Sequence, residues 1–255
     1  MTSPFIRKTA AVCGLASALL LAGCSSSDGG GTAAPVPSAP VPSAPSAAGS
    51  SASGAPLVAE APDASALAAS VALKPQEWAA GFVGGEPYES ARLVERMVDT
   101  SCEYVPNSQG TGRIGTMART VRLPAQAGGR SVAVYARSTA DVYVRAEDAH
   151  EAVSALRTDA RRCTEVVDQE YGRKYRGTRE VAPPRTAAAD EVYAEEGQAA
   201  LIGGAGDFPF VHLAARKGTV VVDVFVDVEQ GQGVAAARDQ SRKALAALLA
   251  KLPDR

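Results

Sequence analysis

A short segment of the chain combines cations and aromatic rings in a way that suits the binding of an anion. It spans residues 171–179 and contains four basic side chains and two tyrosines. Guanidinium and ammonium groups bind phosphate or carboxylate, and tyrosine rings can cover an apolar part of the same ligand. The segment is predicted to be a loop with five candidate ligand-binding residues: Tyr171, Arg173, Lys174, Tyr175 and Arg176. The alternative is a solvated loop that neighbouring carboxylates neutralise in part.

The sequence contains no motif typical of a catalytic or metal centre. A Gly-x-Ser-x-Gly nucleophile motif is missing, and the glycines at 203–206 lack the Gly-Lys-Ser/Thr ending of a phosphate-binding loop. His150 and His212 do not form a paired-ligand motif, and we expect a solvated helix residue and a half-buried strand residue, respectively. We therefore predict that the protein is not an enzyme and uses no metal and no cofactor.

The N-terminus has the order of a secretory signal. Two basic residues precede a charge-free run over residues 10–21, which is shorter than the about 20 residues that a membrane span needs. The Leu-Ala-Gly-Cys that ends at Cys24 resembles the lipobox of bacterial lipoproteins, in which the cysteine thiol is acylated and the signal is then removed. We predict a signal peptide over 1–23 and a lipid anchor on Cys24 at the extracytoplasmic face of the cell membrane. The alternative is an ordinary secretory signal with an incidental cysteine.

Composition divides the remainder of the chain into a tether and one domain. Residues 24–62 consist mostly of Ser, Ala, Pro, Gly and Val, which cannot bury enough apolar surface to fold, so we predict a disordered spacer. A Pro-rich docking ligand is the alternative. Residues 63–255 are enough for a single domain with a substantial core. The whole chain has 26 basic and 28 acidic residues, a balance that argues against nucleic-acid binding.

Two cysteines remain in that domain. An even pair in an oxidising compartment favours a disulfide between Cys102 and Cys163. Because the bond would close a long loop, the chain-entropy relation gives it about 4 kcal/mol of stabilisation as an upper figure. The alternative is two free thiols, or one reactive thiol.

Hydrophobic periodicity predicts the main elements of the domain. Stripes of apolar residues predict one helix that ends near Cys163 and a terminal helix over 234–252. Alternating valines predict a hairpin of residues 208–216 and 219–228. Strands followed by a packed helix, twice over, indicate an α+β fold in which a mostly antiparallel sheet packs against amphipathic helices, with two similar strand–helix halves.

Weaker patterns give three further predictions. Apolar residues over 93–98 predict a short helix. Residues 131–137 and 140–145 are predicted as two separate strands, with a turn at 126–129 before the first of them.

Two stretches of the domain resemble a known extracellular module. The first is Val-Tyr-Val-Arg at 142–145 with Asp-Ala-His-Glu-Ala at 148–152 and Arg-Cys at 162–163, and the second runs from Arg216 to Val224. Together with the terminal helix, they are similar to the PknH-like extracellular sensor domain of actinobacteria, over about residues 70–252. The resemblance implies an α+β fold with a cleft for an unidentified ligand. The chain departs from the kinase version because it has no kinase domain or membrane span, and one cysteine pair instead of two.

These observations lead to two hypotheses about function. The first is a membrane-anchored sensor-type domain that binds a small or anionic ligand of the cell envelope. The second is a module that binds a protein of the envelope machinery and has no small-molecule ligand. A ligand-binding domain requires a cavity, whereas an interaction module requires an exposed apolar patch.

Overall fold

Strands account for most of the architecture. The computed structural model describes residues 61–107, 110–124, 134–204, 206–228 and 233–253. Within these residues, the elements follow in this order: α1 (Ala61–Val71), α2 (Pro75–Trp78), β1 (Val83–Ser90), β2 (Arg96–Val98), β3 (Tyr104–Pro106), β4 (Arg113–Leu123), β5 (Val134–Tyr143), α3 (Ala146–Arg162), β6 (Glu165–Asp168), β7 (Arg173–Glu180), β8 (Glu191–Leu201), β9 (Phe208–Lys217), β10 (Val220–Val228) and α4 (Gly233–Ala250).

The central feature is an eight-stranded sheet with the order β1-β4-β5-β10-β9-β8-β7-β6. Neighbouring strands in this sheet are antiparallel. Strands β2 and β3 form a separate two-stranded sheet. This arrangement confirms the predicted α+β class with a mostly antiparallel sheet packed against helices.

Helices α1 and α4 cover one face of the sheet and enclose the larger apolar core. The β9–β10 hairpin forms as predicted, with Gly218 in a left-handed conformation at its turn. Alternate residues of β10 from Val220 to Val228 are valines that point into this core, and all are buried. Leu245 and Leu248 of α4, together with Leu252 just after the helix, belong to the same core. Burial of each such side chain stabilises the fold by roughly 1.5–3 kcal/mol.

Helix α1 was not predicted from the sequence, yet it packs tightly on β4. Ala64 and Ala68 are fully buried, and they present small side chains to the sheet. A Cβ atom on Gly115 would lie 2.5 Å from the backbone carbon of Ala64, so the close approach requires glycine at this position. Within the described residues, no helix has the length and apolar character needed to cross a membrane.

Helix α3 covers part of the opposite face. Val153 and Ala149 pack on Tyr143, Tyr193 and Val221, and this second apolar cluster is much smaller than the first. The helix has acidic residues in its first turn and basic residues in its last turn, which suits the helix dipole. Helix α3 ends directly before Cys163 and confirms the helix that the sequence predicts there.

A disulfide joins Cys102, next to the β2–β3 hairpin, to Cys163 at the end of α3. The two Cα atoms are 5.7 Å apart, a usual separation for a disulfide, and the bond closes a loop of 61 residues. The Arg162 side chain donates a hydrogen bond of 2.8 Å to the carbonyl oxygen of Val98, which adds a second link between hairpin and helix. The predicted pairing is confirmed.

Two of the weaker predictions of local structure are wrong. Residues 96–98 form strand β2 and not a helix, because their backbone pairs with β3 and the Arg96 side chain binds Asp168. The two strands predicted over 131–137 and 140–145 are the single strand β5 within the described residues. Ser138 and Thr139 resembled a break, but both are buried, and the Ser138 hydroxyl accepts a hydrogen bond from the backbone of Leu73. Cys24 and the turn predicted at 126–129 lie outside the described residues.

Candidate functional site

The segment with the predicted ligand-binding residues is a strand and not a loop. Residues from Arg173 onward form β7, which pairs with β6 on one side and β8 on the other. Because side chains alternate along a strand, neighbouring residues of the segment point to opposite faces of the sheet. The four predicted residues that belong to β7 are therefore divided between two faces, and the role of all five residues in ligand binding stays a prediction.

Arg173 and Tyr175 belong to the face that carries α3. The Tyr175 ring lies 5.5 Å from the ring of Phe210 and 5.8 Å from that of Phe225, and burial raises the pKa of its hydroxyl to about 12. The Arg173 guanidinium binds the carboxylate of Asp227. Both side chains are thus part of the packing of this face.

The remaining three predicted residues are accessible to solvent. Tyr171 lies in the turn before β7, with the Arg96 guanidinium 5.4 Å from its ring centre. Lys174 forms an ion pair with Glu165. Arg176 is 3.5 Å from a carboxylate oxygen of Asp207 and lines a groove on the face that carries α4.

The groove lies where the outer strands of the sheet meet α4. It contains a cavity of about 240 Å³ that is open to solvent on one side, and its lining residues come from β8, β9, α4 and the segment after β7: Val181, Ala182, Pro184, Ala194, Glu196, Val211, Leu213, Arg238 and Arg242. A second hollow of about 180 Å³ shares Glu196 with the first and is lined by Arg176, Gly177, Arg179, Glu196, Gly197, Gln198 and Val234. We call the two together the arginine groove.

The carboxylate of Glu196 lies at the floor of the arginine groove and organises the cations around it. Arg238 donates to both carboxylate oxygens, with a distance of 2.7 Å from Nη2 to Oε2. Arg179 approaches the same oxygen to 3.8 Å. The hydrogen bond from Arg238 lowers the pKa of Glu196 despite burial, and the charges of Arg238, Arg179 and Arg242 lower it further. Glu196 is therefore ionised at neutral pH.

The arginine groove has more positive than negative charge. Its lining includes four arginines, and among the described residues their carboxylate partners at ion-pair distance are Glu196 and Asp207. Arg179 is 68% exposed at its side chain, and Arg242 is also exposed. Because a guanidinium offers five N–H donors in a planar fork, these two side chains keep donors available for an added carboxylate or phosphate.

The uncovered part of the α3 face is polar, but its charges are largely paired. Glu195 accepts hydrogen bonds of 2.6 Å from the Tyr193 hydroxyl and 3.0 Å from Nδ1 of His212. Burial lowers the pKa of His212, but the hydrogen bond and charge of Glu195 outweigh burial and the net shift is upward. His212 is the half-buried, hydrogen-bonded histidine that was expected, and the exposed His150 lies 2.9 Å from Glu191.

Other buried polar groups on the α3 face are less completely paired. Burial raises the pKa of Asp141 to about 6, although Arg113 lies 3.2 Å away and lowers it, and the carboxylates of Asp223 and Glu95 raise it further. Among the described residues, three buried side-chain atoms on β5 and β10 have no hydrogen-bond partner: Nε of Arg137, Oγ1 of Thr139 and Oδ1 of Asp223. Among the described residues, no three potential metal ligands come together.

Sequence reasoning missed most of the arginine groove. Arg179 was part of the cationic segment but not among the five predicted residues, and Glu196, Arg238 and Arg242 were not singled out. One signal was available, because Arg238 and Arg242 are four residues apart and so share a side of the terminal helix. Their meeting with β7 depends on strand order, which local patterns do not specify.

Comparisons with known proteins support the fold. No protein-family model matches the chain, and no curated protein matches it either. The crystal structure of the extracellular domain of PknH from Mycobacterium tuberculosis is similar, with a TM-score of 0.50 and 14% sequence identity over 74% of this chain and 95% of that chain. An uncharacterised Mycobacterium smegmatis protein, the Rv0999 ortholog, matches over 59% of this chain and 70% of that chain, with 11% identity and a TM-score of 0.29. This TM-score is too low to support a conclusion. The first match confirms a PknH-like fold, as the sequence predicted.

Proposed function

We propose that the protein is an extracytoplasmic domain of the sensor type, anchored by lipid on Cys24, that binds a small anionic ligand of the cell envelope in the arginine groove. The observation that carries this proposal is the set of four arginines around the buried carboxylate of Glu196. The fold, which resembles the extracellular domain of PknH, supports a role outside the cytoplasm.

The arrangement of Glu196 explains how the arginine groove can hold several cations and still bind an anion. A buried carboxylate offsets the repulsion among the guanidinium groups and fixes Arg238 by two hydrogen bonds. Arg179 lies on β7 and Arg242 on α4, and the charges of both lower the pKa of Glu196. An anion in the groove would form charge-assisted hydrogen bonds to these exposed side chains and to Arg238, which Glu196 already positions and which therefore loses less entropy on binding.

Native mass spectrometry of the secreted protein tests this proposal. The chain carries Cys24→Ser, which removes the predicted acylation site and keeps the rest of the sequence. We expect a reproducible added mass that corresponds to an organic acid or a phosphate compound. The variant Arg179→Ala/Arg242→Ala removes two exposed side chains and should lose the added mass.

A matched control removes the same charge elsewhere. Arg122 and Arg161 are also exposed but do not line the arginine groove, so Arg122→Ala/Arg161→Ala should retain the ligand. If the protein with the unmodified groove shows only the mass of the chain alone, in several growth conditions, the proposal is contradicted. Equal loss of the ligand in the groove variant and the control would contradict it as well.

One observation favours the second function, a module that binds an envelope protein. Three apolar side chains, Tyr171, Leu201 and Ile202, are 47–53% exposed, and the backbone N–H of Ile202 donates to the carbonyl oxygen of Gly172, so the three lie near one another. The variant Leu201→Ser/Ile202→Ser should abolish crosslinks to an envelope protein in cells if this surface is the functional one. Unchanged crosslinks in that variant would exclude this function for the surface.

A further inference from the structure

We infer that the ligand of the arginine groove is an anionic amphiphile, with a carboxylate or phosphate head group on a short apolar chain. This inference rests on the proposed function and specifies the class of ligand. A simple inorganic anion would interact only with the cations of the groove. The larger cavity also has an apolar wall, which such an ion would not bind.

The apolar wall forms most of the larger cavity. Six of its nine lining residues are apolar: Val181, Ala182, Pro184, Ala194, Val211 and Leu213. Ala194, Val211 and Leu213 also belong to the main core of the fold, so the cavity reaches the outer limit of that core. Water in contact with such a surface is displaced favourably by an apolar group. A short alkyl chain of a ligand would therefore extend the core into the cavity.

The charged residues of the cavity come from α4 and β8. Arg238 and Arg242 come from α4, and Glu196 holds Arg238 in place. The second hollow continues from Glu196 to Arg176 and Arg179. A head group near Glu196 can thus be bound by cations while its chain contacts the apolar wall, and the open side of the cavity leaves room for the remainder of a larger lipid.

Four probes separate the contributions of charge and chain. The probes are octanoate, acetate, octan-1-ol and octyltrimethylammonium, and each is titrated calorimetrically into the Cys24→Ser chain below its aggregation concentration. Because each buried methylene adds about fourfold to affinity, burial of two or more should make octanoate bind more than about tenfold tighter than acetate. Octan-1-ol should bind weakly and octyltrimethylammonium should not bind. A fifth probe, octyl phosphate, has the other head group of the proposed class and should bind about tenfold tighter than octan-1-ol.

A variant that fills the cavity tests the location of the chain. Ala182 is exposed at the mouth of the cavity, so Ala182→Phe adds a ring there without entering the core. It should reduce the affinity for octanoate to that for acetate. Ala187→Phe adds the same ring at an exposed residue that does not line the groove, and it should bind octanoate normally.

Each contrary outcome identifies which proposal fails. Equal affinities for acetate and octanoate would overturn the inference and leave anion binding intact. Equal binding of octanoate, octan-1-ol and octyltrimethylammonium would overturn it as well, because the site would then not select an anion. If no anionic probe binds at all, both the inference and the proposed function fail.

Discussion

The two faces of the sheet differ in where their charged side chains lie and in how they are paired. On the α3 face, charged side chains lie within the packed layer and pair with one another, as in Arg173 with Asp227 and Arg113 with Asp141. On the α4 face, the layer over β10 is apolar, and the charged residues gather at its margin in the arginine groove. The difference indicates that charge is taken up in pairs within the structure on the first face and is available for a ligand on the second.

The comparison also separates the sources of stability. A partly buried ion pair must offset the desolvation of both partners, so its net contribution is small or unfavourable. The α4 face gains instead from the burial of valine and leucine side chains. We therefore expect the fold to depend on apolar packing on the α4 face and on the disulfide near α3.

Removal of the disulfide should have the largest effect. The variant Cys102→Ala/Cys163→Ala frees the 61-residue loop in the unfolded state, and we expect a loss of up to about 4 kcal/mol in the free energy of unfolding. Urea denaturation measures it. The unmodified protein under reducing conditions is the control and should behave like the variant. A loss below about 1 kcal/mol would show that the link between the β2–β3 hairpin and α3 contributes little.

Truncation of a core residue should have a somewhat smaller effect. Leu248 of α4 is fully buried, and Leu248→Ala should lower the free energy of unfolding by about 3 kcal/mol because it leaves a cavity. Leu156 of α3 is only partly buried, so Leu156→Ala should cost about half as much. Denaturation of both variants compares the two faces directly. Equal losses would contradict the conclusion that the α4 face dominates stability.

Asp141 should make the stability of the α3 face depend on pH. Its pKa is raised from 3.8 to about 6 in the folded protein, so between these values the folded state holds a proton that the unfolded state has released. The free energy of unfolding must then fall as pH rises through this window. Asp141→Asn removes the effect. The free energy of unfolding of this variant, relative to that of the unmodified protein, should therefore increase by about 2 kcal/mol between pH 4 and pH 7.

The measurement for Asp141 is a set of denaturation curves at both pH values. Glu95, Arg113 and Asp223 face Asp141 and are present in both proteins. Asp239→Asn, at an exposed residue of α4, is the control. A constant difference between Asp141→Asn and the unmodified protein at all pH values would show that Asp141 is not the responsible group.

Lys174 should have the smallest effect. It pairs with Glu165 and does not line either hollow of the arginine groove. Lys174→Ala should weaken ligand binding by about twofold at most, as expected for the loss of a screened, more distant charge. A loss as large as that of Arg179→Ala/Arg242→Ala would instead support the ligand-binding role that the sequence predicted for the segment from Tyr171 to Arg176.

Much of the fold could be predicted because its signals are local. The alternating valines of β10 and the apolar stripe of α4 specify element and buried face at once. Helix α1 escaped prediction because its contacts depend on small alanines and on the distant Gly115. The strand over 96–98 escaped because its pairing and the Arg96–Asp168 contact are not encoded in the segment itself.

The candidate site was harder to predict than the fold. The composition of 171–179 indicated an anion-binding segment, but a β-strand sends its side chains to both faces. Only Arg176 of the five predicted residues lines the arginine groove. Glu196, Arg238 and Arg242 join it through the order of the strands and the position of α4, which are properties of the tertiary structure.

The most direct test of this account is a map of the binding site by NMR. Octanoate is titrated into ¹⁵N-labelled protein, and the shifts of the backbone amides are followed. The account predicts changes at Gly177, Gly197 and Arg238 around the arginine groove, with Arg137 and Phe225 on the opposite face unaffected. Changes confined to Arg137, Phe225 and their neighbours would contradict it, because the ligand would then bind to the face whose charges we assign to structure.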